Sequence, residues 1–232
     1  MFETTDLTNK LGYENWVIKE SLLAIEQNNG TISDRTIRFK TDGVASHSFV
    51  LKDSFSSFKS LDIIEKLSPL LFVTTYKILD MVFEWILDEN TDRVPWRFSE
   101  KINLYNEIKQ NSDFHVPEII QDEQELLDIM FSLYENLAIY RNKIIHGAWG
   151  SINKGDLSFS FIHSEVPFEK EISFKEVLNF SEAVTLFVNE ITIPSENSSF
   201  VFKTTKYLLD QIQDLHNGMR FNISKPSHYK VE

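Results

Sequence analysis

Cysteine is absent from the 232-residue sequence, and its absence excludes structural disulfides and metal sites built from thiolates. A reducing compartment is therefore expected. Long apolar runs are absent too, since none approaches the roughly 18 residues that a bilayer-spanning helix needs. The N-terminal stretch shows no basic segment followed by an apolar run, so we expect no signal peptide. These absences predict a cytoplasmic protein with no membrane partner.

Positive charge is scarce. Lysine and arginine number 23 against 35 aspartates and glutamates, which gives a net charge of −12. This balance argues against a protein that coats nucleic acid generally, because binding many phosphates requires positive potential. It remains compatible with a small basic site. Hydrophobic residues make up 42% of the chain and include 19 phenylalanines, which is enough for a substantial core. The length suits one large domain or a domain with a sizeable appendage.

Residues 1–53 have a mixed pattern. An amphipathic helix is predicted over 12–28, where the sequence NNG ends it. A hairpin is predicted within 36–51, with Asp42-Gly43 as its tight turn. We therefore expect this segment to be a small α/β elaboration in front of the main domain.

From about residue 54 the pattern is helical. Ser68 and Pro69 predict a helix start, because serine is a good cap and proline is preorganised for the first helical position. A shorter helix is predicted over 98–110 from apolar residues spaced three or four apart.

A third helix leads to the segment of greatest interest. Asp122, as its cap, and Glu125, three residues later, predict a capping box at its start. Gly147 is placed to end it.

The rest of the chain combines a hairpin with two helices. The hairpin is predicted near 155–172 from alternating apolar residues. Ser173 and Glu176 predict a capping box that opens a helix to about residue 190. A last helix is predicted over 200–216, and 219–232 has no periodicity, which predicts a loosely held tail.

The sequence YRNKIIHGAWG, residues 140–150, ends the third predicted helix. Histidine is the side chain whose pKa ordinarily lies near neutrality, so His146 can both take and give a proton. Arg141 is always charged, and its planar guanidinium matches two phosphate oxygens. Asn142 offers a neutral donor and acceptor for positioning. These groups suit RNA cleavage by attack of the 2′-hydroxyl, with histidine handling a proton and arginine stabilising charge on phosphorus. Such a reaction requires no metal or cofactor, and the other five histidines are scattered along the chain.

The spacing within this segment constrains the chemistry. Arg141 and His146 are five residues apart, about 140° around a regular helix and about 7.5 Å along it. One helix therefore does not aim both groups at one phosphate. Two helices facing each other across a two-fold axis can share a cleft, so we expect a homodimer; distortion of the helix near Gly147 is the other solution. A structural interpretation is also open, because a histidine followed by glycine is an ordinary helix C-terminus.

Weaker candidates lie beside the segment. Lys143 and Lys154 could attract RNA by their charge, although a lysine is usually a solvated surface residue. Trp149 could stack on a base. Trp149 is the best such candidate because it lies just beyond the motif. The other three tryptophans could also stack on bases, although aromatic residues in so aromatic a chain are more often core residues; they are Trp16, Trp85 and Trp96. A basic stretch that could face the same cleft consists of Arg93, Arg97 and Lys101.

The sequence RNKIIHG, at the end of the third helix of a bundle, resembles the HEPN superfamily. Its signature is an arginine, four to six residues and a histidine, often with a polar residue after the arginine. The resemblance covers 141–147 as a motif and about 60–215 as architecture. It implies a helical bundle that dimerises and, in many members, a metal-independent endoribonuclease of toxin–antitoxin or phage-defence systems. It implies Arg141 and His146 as catalytic residues and Asn142 as their polar assistant.

The expected architecture is therefore mainly α, a HEPN-like bundle over 54–218 with the N-terminal elaboration and an inserted hairpin. The resemblance also implies RNA as substrate and an antitoxin or defence protein as partner. Ala148 stands where HEPN toxins silenced by a nucleotidyltransferase commonly have tyrosine. The alternative function is a non-catalytic module that dimerises or docks onto a partner. A buried His146, or an Arg141 paired with a carboxylate, favours that alternative.

Overall fold

Helices dominate the described part of the chain, which in this computed structural model comprises residues 2, 4–28, 38–39, 45–46, 60–111, 113–151, 155–163 and 166–212. The mainly α prediction is confirmed. The α-helices are, in chain order, α1 Thr4–Asn28, α2 Ser60–Asn90, α3 Phe98–Ile108, α4 Gln124–Ile145, α5 Phe174–Thr192 and α6 Ser198–Asp210. The strands are β1 Arg38–Phe39, β2 Ala45–Ser46, β3 Gly150–Ser151, β4 Leu157–His163 and β5 Val166–Ile172.

The long helix α2 is the centre of the core. It packs against α1, α3, α4 and α5, and α5 in turn packs against α6. Apolar residues of α2 at three-to-four spacing, such as Leu79, Val82 and Phe83, are completely buried. Helix α1 begins at Thr4, eight residues before the predicted start at residue 12, and its Leu7, Leu11 and Ile18 are buried in the same core.

The predicted start of α2 at Ser68 and Pro69 is wrong. The helix begins at Ser60, and Pro69 lies inside it. A proline within a helix removes one hydrogen bond and costs about 3 kcal/mol. Pro69 is buried, as are Leu71 and Phe72 directly after it. Burial of these apolar side chains against neighbouring helices offsets the local cost, which a pattern of single residues does not reveal.

The two predicted capping boxes have different outcomes. At α4 the cap is Glu123 rather than Asp122, and it makes no side-chain cap hydrogen bond. A short 3-10 helix, Glu118–Ile120, precedes it, and the backbone N–H of Glu123 donates to the carbonyl of Ile120 at 3.0 Å. This turn occupies the backbone that a capping box would need. At α5 the capping box is confirmed, and it joins Ser173 with Glu176.

Two small antiparallel sheets accompany the helices. Strands β1 and β2 pair where the first hairpin was predicted, while its predicted turn, Asp42-Gly43, lies outside the described residues. The second hairpin is confirmed as β4 and β5, and β3 adds a third strand beside β4. Leu157, Phe159 and Ile172 of this sheet are buried. The sheet therefore packs on the core beside the end of α4.

The last helix, α6, begins at Ser198 and ends at Asp210, close to its predicted start at residue 200 and short of its predicted end at 216. The predicted tail, 219–232, lies outside the described residues. Within the described ranges, no helix is long and apolar enough to cross a membrane.

Candidate functional site

The end of α4 is regular. The backbone N–H of His146 donates to the carbonyl of Asn142 at 3.0 Å, so the helical hydrogen bonding continues up to the motif histidine. Gly147 then adopts φ +68°. Its N–H donates to the carbonyl of Ile144 at 3.1 Å, and the N–H of Ala148 donates to that of Lys143 at 2.8 Å. This pair of bonds is a Schellman motif. Gly147 therefore ends the helix as predicted, through hydrogen bonds between backbone groups.

The side chain of His146 takes no part in this helix end. It is exposed, and no hydrogen bond or ion pair joins it to another described residue. The imidazole is consequently accessible to a substrate or to a second protein chain.

Arg141 is held differently. It is partly buried, and its guanidinium Nη1 donates to the Oδ1 of Asn142 at 2.9 Å. Its Nε is buried and has no hydrogen-bond partner in the part of the chain that the structure describes. No carboxylate among those residues lies within ion-pair distance of it. The charge of Arg141 is therefore not neutralised by an acidic side chain there.

Arg141 lines a cavity of about 140 Å³, here called the Arg141 pocket. Residues from α2, from the segment around α3 and from α4 meet in it. Its lining residues are Tyr76, Asp80, Trp96, Phe98, Lys101, Ala138, Arg141 and Asn142. His146 is not among them, which agrees with the separation of the two motif residues around a regular helix.

A buried polar network lies beside the Arg141 pocket. Lys101 is 3% exposed, and its Nζ contacts the Oδ1 of Asp80 at 2.9 Å and the carboxylate of Glu84. The hydroxyl of Tyr134 donates to the same Oδ1. Pairing compensates the cost of burying the ammonium group. Lys101 therefore adds little free positive charge to the pocket.

The tyrosines of the network stay protonated. Burial raises the pKa of Tyr134 well above its usual value, and the nearby charge of Asp80 raises it further. Burial and Asp80 also raise the pKa of Tyr76, whereas the charge of Arg141 lowers it. The hydroxyl of Tyr76 donates to the backbone carbonyl of Tyr134 at 2.9 Å. Both phenols are hydrogen-bond donors to fixed partners and do not serve as bases near neutral pH.

Of the predicted RNA-binding residues that the structure describes, neither Lys143 nor Trp149 lines the Arg141 pocket. Lys143 lies two positions after Arg141, about 200° around the helix, and its Nζ is 4.6 Å from the ring centroid of Phe161 on β4. Trp149 is partly buried against the core. Lys154 lies outside the described residues.

The basic stretch before and into α3 is divided. Lys101 lines the Arg141 pocket, whereas Arg97 contacts Glu100 at 3.4 Å and places its Cζ 5.3 Å from the ring centroid of Trp96. Arg93 lines a second cavity, of about 280 Å³. The stretch therefore meets the Arg141 pocket through one lysine that is already paired.

Trp96 is not the core residue that a tryptophan in so aromatic a chain more often is. It is 80% exposed and lines both cavities, whereas Trp85 packs partly buried against the core. The one available signal was its neighbourhood, because Trp96 sits between a proline and an arginine in a short connection with no apolar periodicity. Exposed loop aromatics are more often functional than packed ones.

The described residues contain no group of three or more histidine, cysteine, aspartate or glutamate side chains that could hold a metal ion. Compared with known protein families, curated proteins and solved structures, the chain has no significant match.

Proposed function

We propose that the protein is a metal-independent endoribonuclease of the HEPN type that acts as a homodimer, in a toxin–antitoxin or phage-defence system. One observation carries the proposal. Arg141 lines an open pocket without a carboxylate partner among the described residues, and His146 is exposed at the end of the same helix. Catalysis requires an arginine whose charge no carboxylate neutralises and a histidine that the substrate can reach. A purely structural role would favour a paired arginine and a packed histidine.

The chemistry is a displacement within the RNA strand. The 2′-oxygen of a ribose attacks the adjoining phosphorus, a bond from phosphorus to O2′ forms, and the bond to O5′ breaks. The products are a 2′,3′-cyclic phosphate and a free 5′-hydroxyl. His146 takes the proton of the 2′-hydroxyl or supplies one to the leaving oxygen. Arg141 stabilises the negative charge that develops on the phosphoryl oxygens.

Asn142 positions Arg141 in this scheme. Its Oδ1 accepts the hydrogen bond from Nη1, which fixes one side of the guanidinium and leaves the amide nitrogen of Asn142 able to donate to a phosphate oxygen. The pair is adjacent in sequence, and both residues line the Arg141 pocket.

The dimer completes the site. The helical hydrogen bonding of α4 up to His146 supports this dimer in preference to a distorted helix end. We therefore propose that Arg141 of one protomer works with a histidine from its partner across a two-fold axis. An antitoxin or another defence protein would act by covering this shared cleft.

The test is RNA cleavage without metal. The purified chain is incubated with mixed RNAs in EDTA, beside a His146→Ala variant, and the product ends are analysed. We expect cleavage by the wild type, products with 2′,3′-cyclic phosphate, and none with His146→Ala. A deoxy substitution at the cut site should block the reaction. Loss of activity in EDTA, or cleavage that persists at a deoxy site, would refute the mechanism. A protein that never cleaves RNA and unfolds on His146→Ala would support the docking-module alternative.

A further inference from the structure

Trp96 is an exposed aromatic surface beside the proposed reaction site. Its side chain is 80% exposed. It lines both the Arg141 pocket and the cavity that Arg93 lines. The guanidinium of Arg97 covers one face of the indole, with Cζ 5.3 Å from the centroid. An exposed ring that a cation supports on one face is a stacking surface for a base on the other.

The size of the Arg141 pocket limits what it can hold. Its volume is about 140 Å³, well below the roughly 300–1,000 Å³ of pockets that enclose drug-sized ligands. It therefore accommodates one flat ring system rather than a whole nucleotide. Tyr76, Trp96 and Phe98 supply aromatic walls for such a ring.

The polar groups of the pocket indicate which ring. Asp80 accepts hydrogen bonds from Lys101 and Tyr134, and both go to its Oδ1. Its Oδ2 receives neither of these two bonds. A carboxylate oxygen is an acceptor only, so it favours an amino group on the ligand and disfavours a carbonyl oxygen.

We propose that the Arg141 pocket binds one nucleobase with an exocyclic amino group, which stacks on Trp96 and donates to Asp80. Arg141 then holds the phosphate next to that base. This inference rests on the proposed function, because the base belongs to the RNA strand that is cut. Cytosine carries the amino group where uracil carries a carbonyl oxygen. The pocket therefore discriminates between these two pyrimidines and disfavours uracil.

The experiment measures binding without cleavage. The full chain is titrated with single-stranded oligonucleotides of 2′-deoxycytidine and of 2′-deoxyuridine, which lack the attacking hydroxyl, and fluorescence anisotropy reports binding. We expect about fivefold or more tighter binding of the cytosine strand. Trp96→Ala should weaken binding about tenfold, and Trp96→Phe should recover most of it. The matched control is Trp16→Ala, which removes another exposed tryptophan, on α1, and should change nothing.

Two results decide the inference. Equal affinity for the two strands, or full affinity in Trp96→Ala, overturns it. Trp96 is exposed, so this variant should fold normally and far-ultraviolet circular dichroism checks that it does. Asp80→Asn should abolish the preference, because an amide offers both a donor and an acceptor. The two proposals fail separately. A cytosine preference without RNA cleavage supports base binding in the Arg141 pocket and refutes the ribonuclease proposal. Metal-free cleavage without a base preference supports the ribonuclease proposal and refutes base binding in the pocket.

Discussion

Arg141 lines a pocket that His146, five residues later on the same helix, does not reach. The N–H of His146 still donates to the carbonyl of Asn142 at 3.0 Å, so the helix keeps its regular turn of about 100° per residue between the two. A single protomer therefore presents its cation and its proton carrier in different directions. For the proposed reaction, which uses both residues on one phosphate, we therefore expect a second copy of α4 to take part.

Arg141 should be indispensable for cleavage. Arg141→Ala removes the cation that stabilises the transition state, and we expect kcat to fall by about 10²–10³. Arg141→Lys should restore little of it, because an ammonium lacks the planar group that contacts two oxygens. Both variants should shift the free energy of unfolding by only about 0.5 kcal/mol, since no ion pair with a described residue is lost.

The control for these variants is Lys10→Ala. Lys10 pairs with Asp6 on the surface of α1, so its removal costs one positive charge away from α4 and should leave kcat unchanged. Equal losses of activity in the Arg141 and Lys10 variants would show that net charge, rather than this guanidinium, governs cleavage.

The two glycines Gly147 and Gly12 should respond in opposite directions to alanine. Gly147 has φ +68°, and an added Cβ would meet nothing within 4 Å. Gly147→Ala should therefore lower the free energy of unfolding through backbone strain alone, by about 1 kcal/mol. Gly12 lies within α1 and also has open space, so Gly12→Ala should stabilise the protein by about 0.5–1 kcal/mol. Urea unfolding measures both. Stabilisation by Gly147→Ala would contradict the left-handed conformation.

Local sequence rules predict the helices that are specified by residues close together in the sequence. The apolar spacing over 98–110 predicts α3 almost to the residue, because one buried face alternates with solvent. Ser173 and Glu176 predict the start of α5, since a capping box needs only four residues. The failures at Pro69 and Asp122 have different causes. At Pro69, burial of apolar side chains against neighbouring helices offsets the local cost of the proline, and no window along the chain contains that information. At Asp122, a 3-10 turn directly before α4 precedes a cap at Glu123.

The candidate site, too, is only partly predictable from the sequence. The motif identifies Arg141, Asn142 and His146 by residue type and spacing alone. The pocket around Arg141 is not visible in the sequence, because it unites Asp80 of α2 with Trp96 before α3 and with α4. Sequence separations of tens of residues become contacts only after the helices pack.

Stability should fall steeply in alkaline solution. Burial raises the pKa of Tyr134, and burial also raises that of Tyr105 and Tyr140. In the unfolded chain tyrosine ionises near pH 10. The unfolded state therefore releases protons first, so the stabilisation is complete below about pH 10 and is lost as pH rises above it. Each phenol contributes a slope of about 1.4 kcal/mol per pH unit.

Tyr134→Phe tests this origin. The variant lacks one titrating phenol, so its free energy of unfolding should fall less steeply with pH above about 10. The slope should differ from that of the wild type by about 1.4 kcal/mol per pH unit, which corresponds to one proton. Near pH 7 it should be less stable by about 1 kcal/mol, because the hydrogen bond to Asp80 is lost. Urea unfolding from pH 7 to 11 measures both effects. An unchanged alkaline slope would mean that Tyr134 ionises equally in the folded and unfolded states.

Mixing two inactive variants should restore cleavage if the site is shared between protomers. Arg141→Ala keeps His146, and His146→Ala keeps Arg141. In a heterodimer of the two, one of the two shared sites combines both intact residues and the other combines both alanines. Equal mixing makes about half of the dimers heterodimers, so about a quarter of the wild-type activity should return. Each variant alone, and a mixture of either with the doubly substituted chain, should stay inactive. A site built within one chain predicts no recovery at any mixing ratio. The mixture therefore decides between the two arrangements, provided that light scattering shows dimers and that the subunits exchange during incubation.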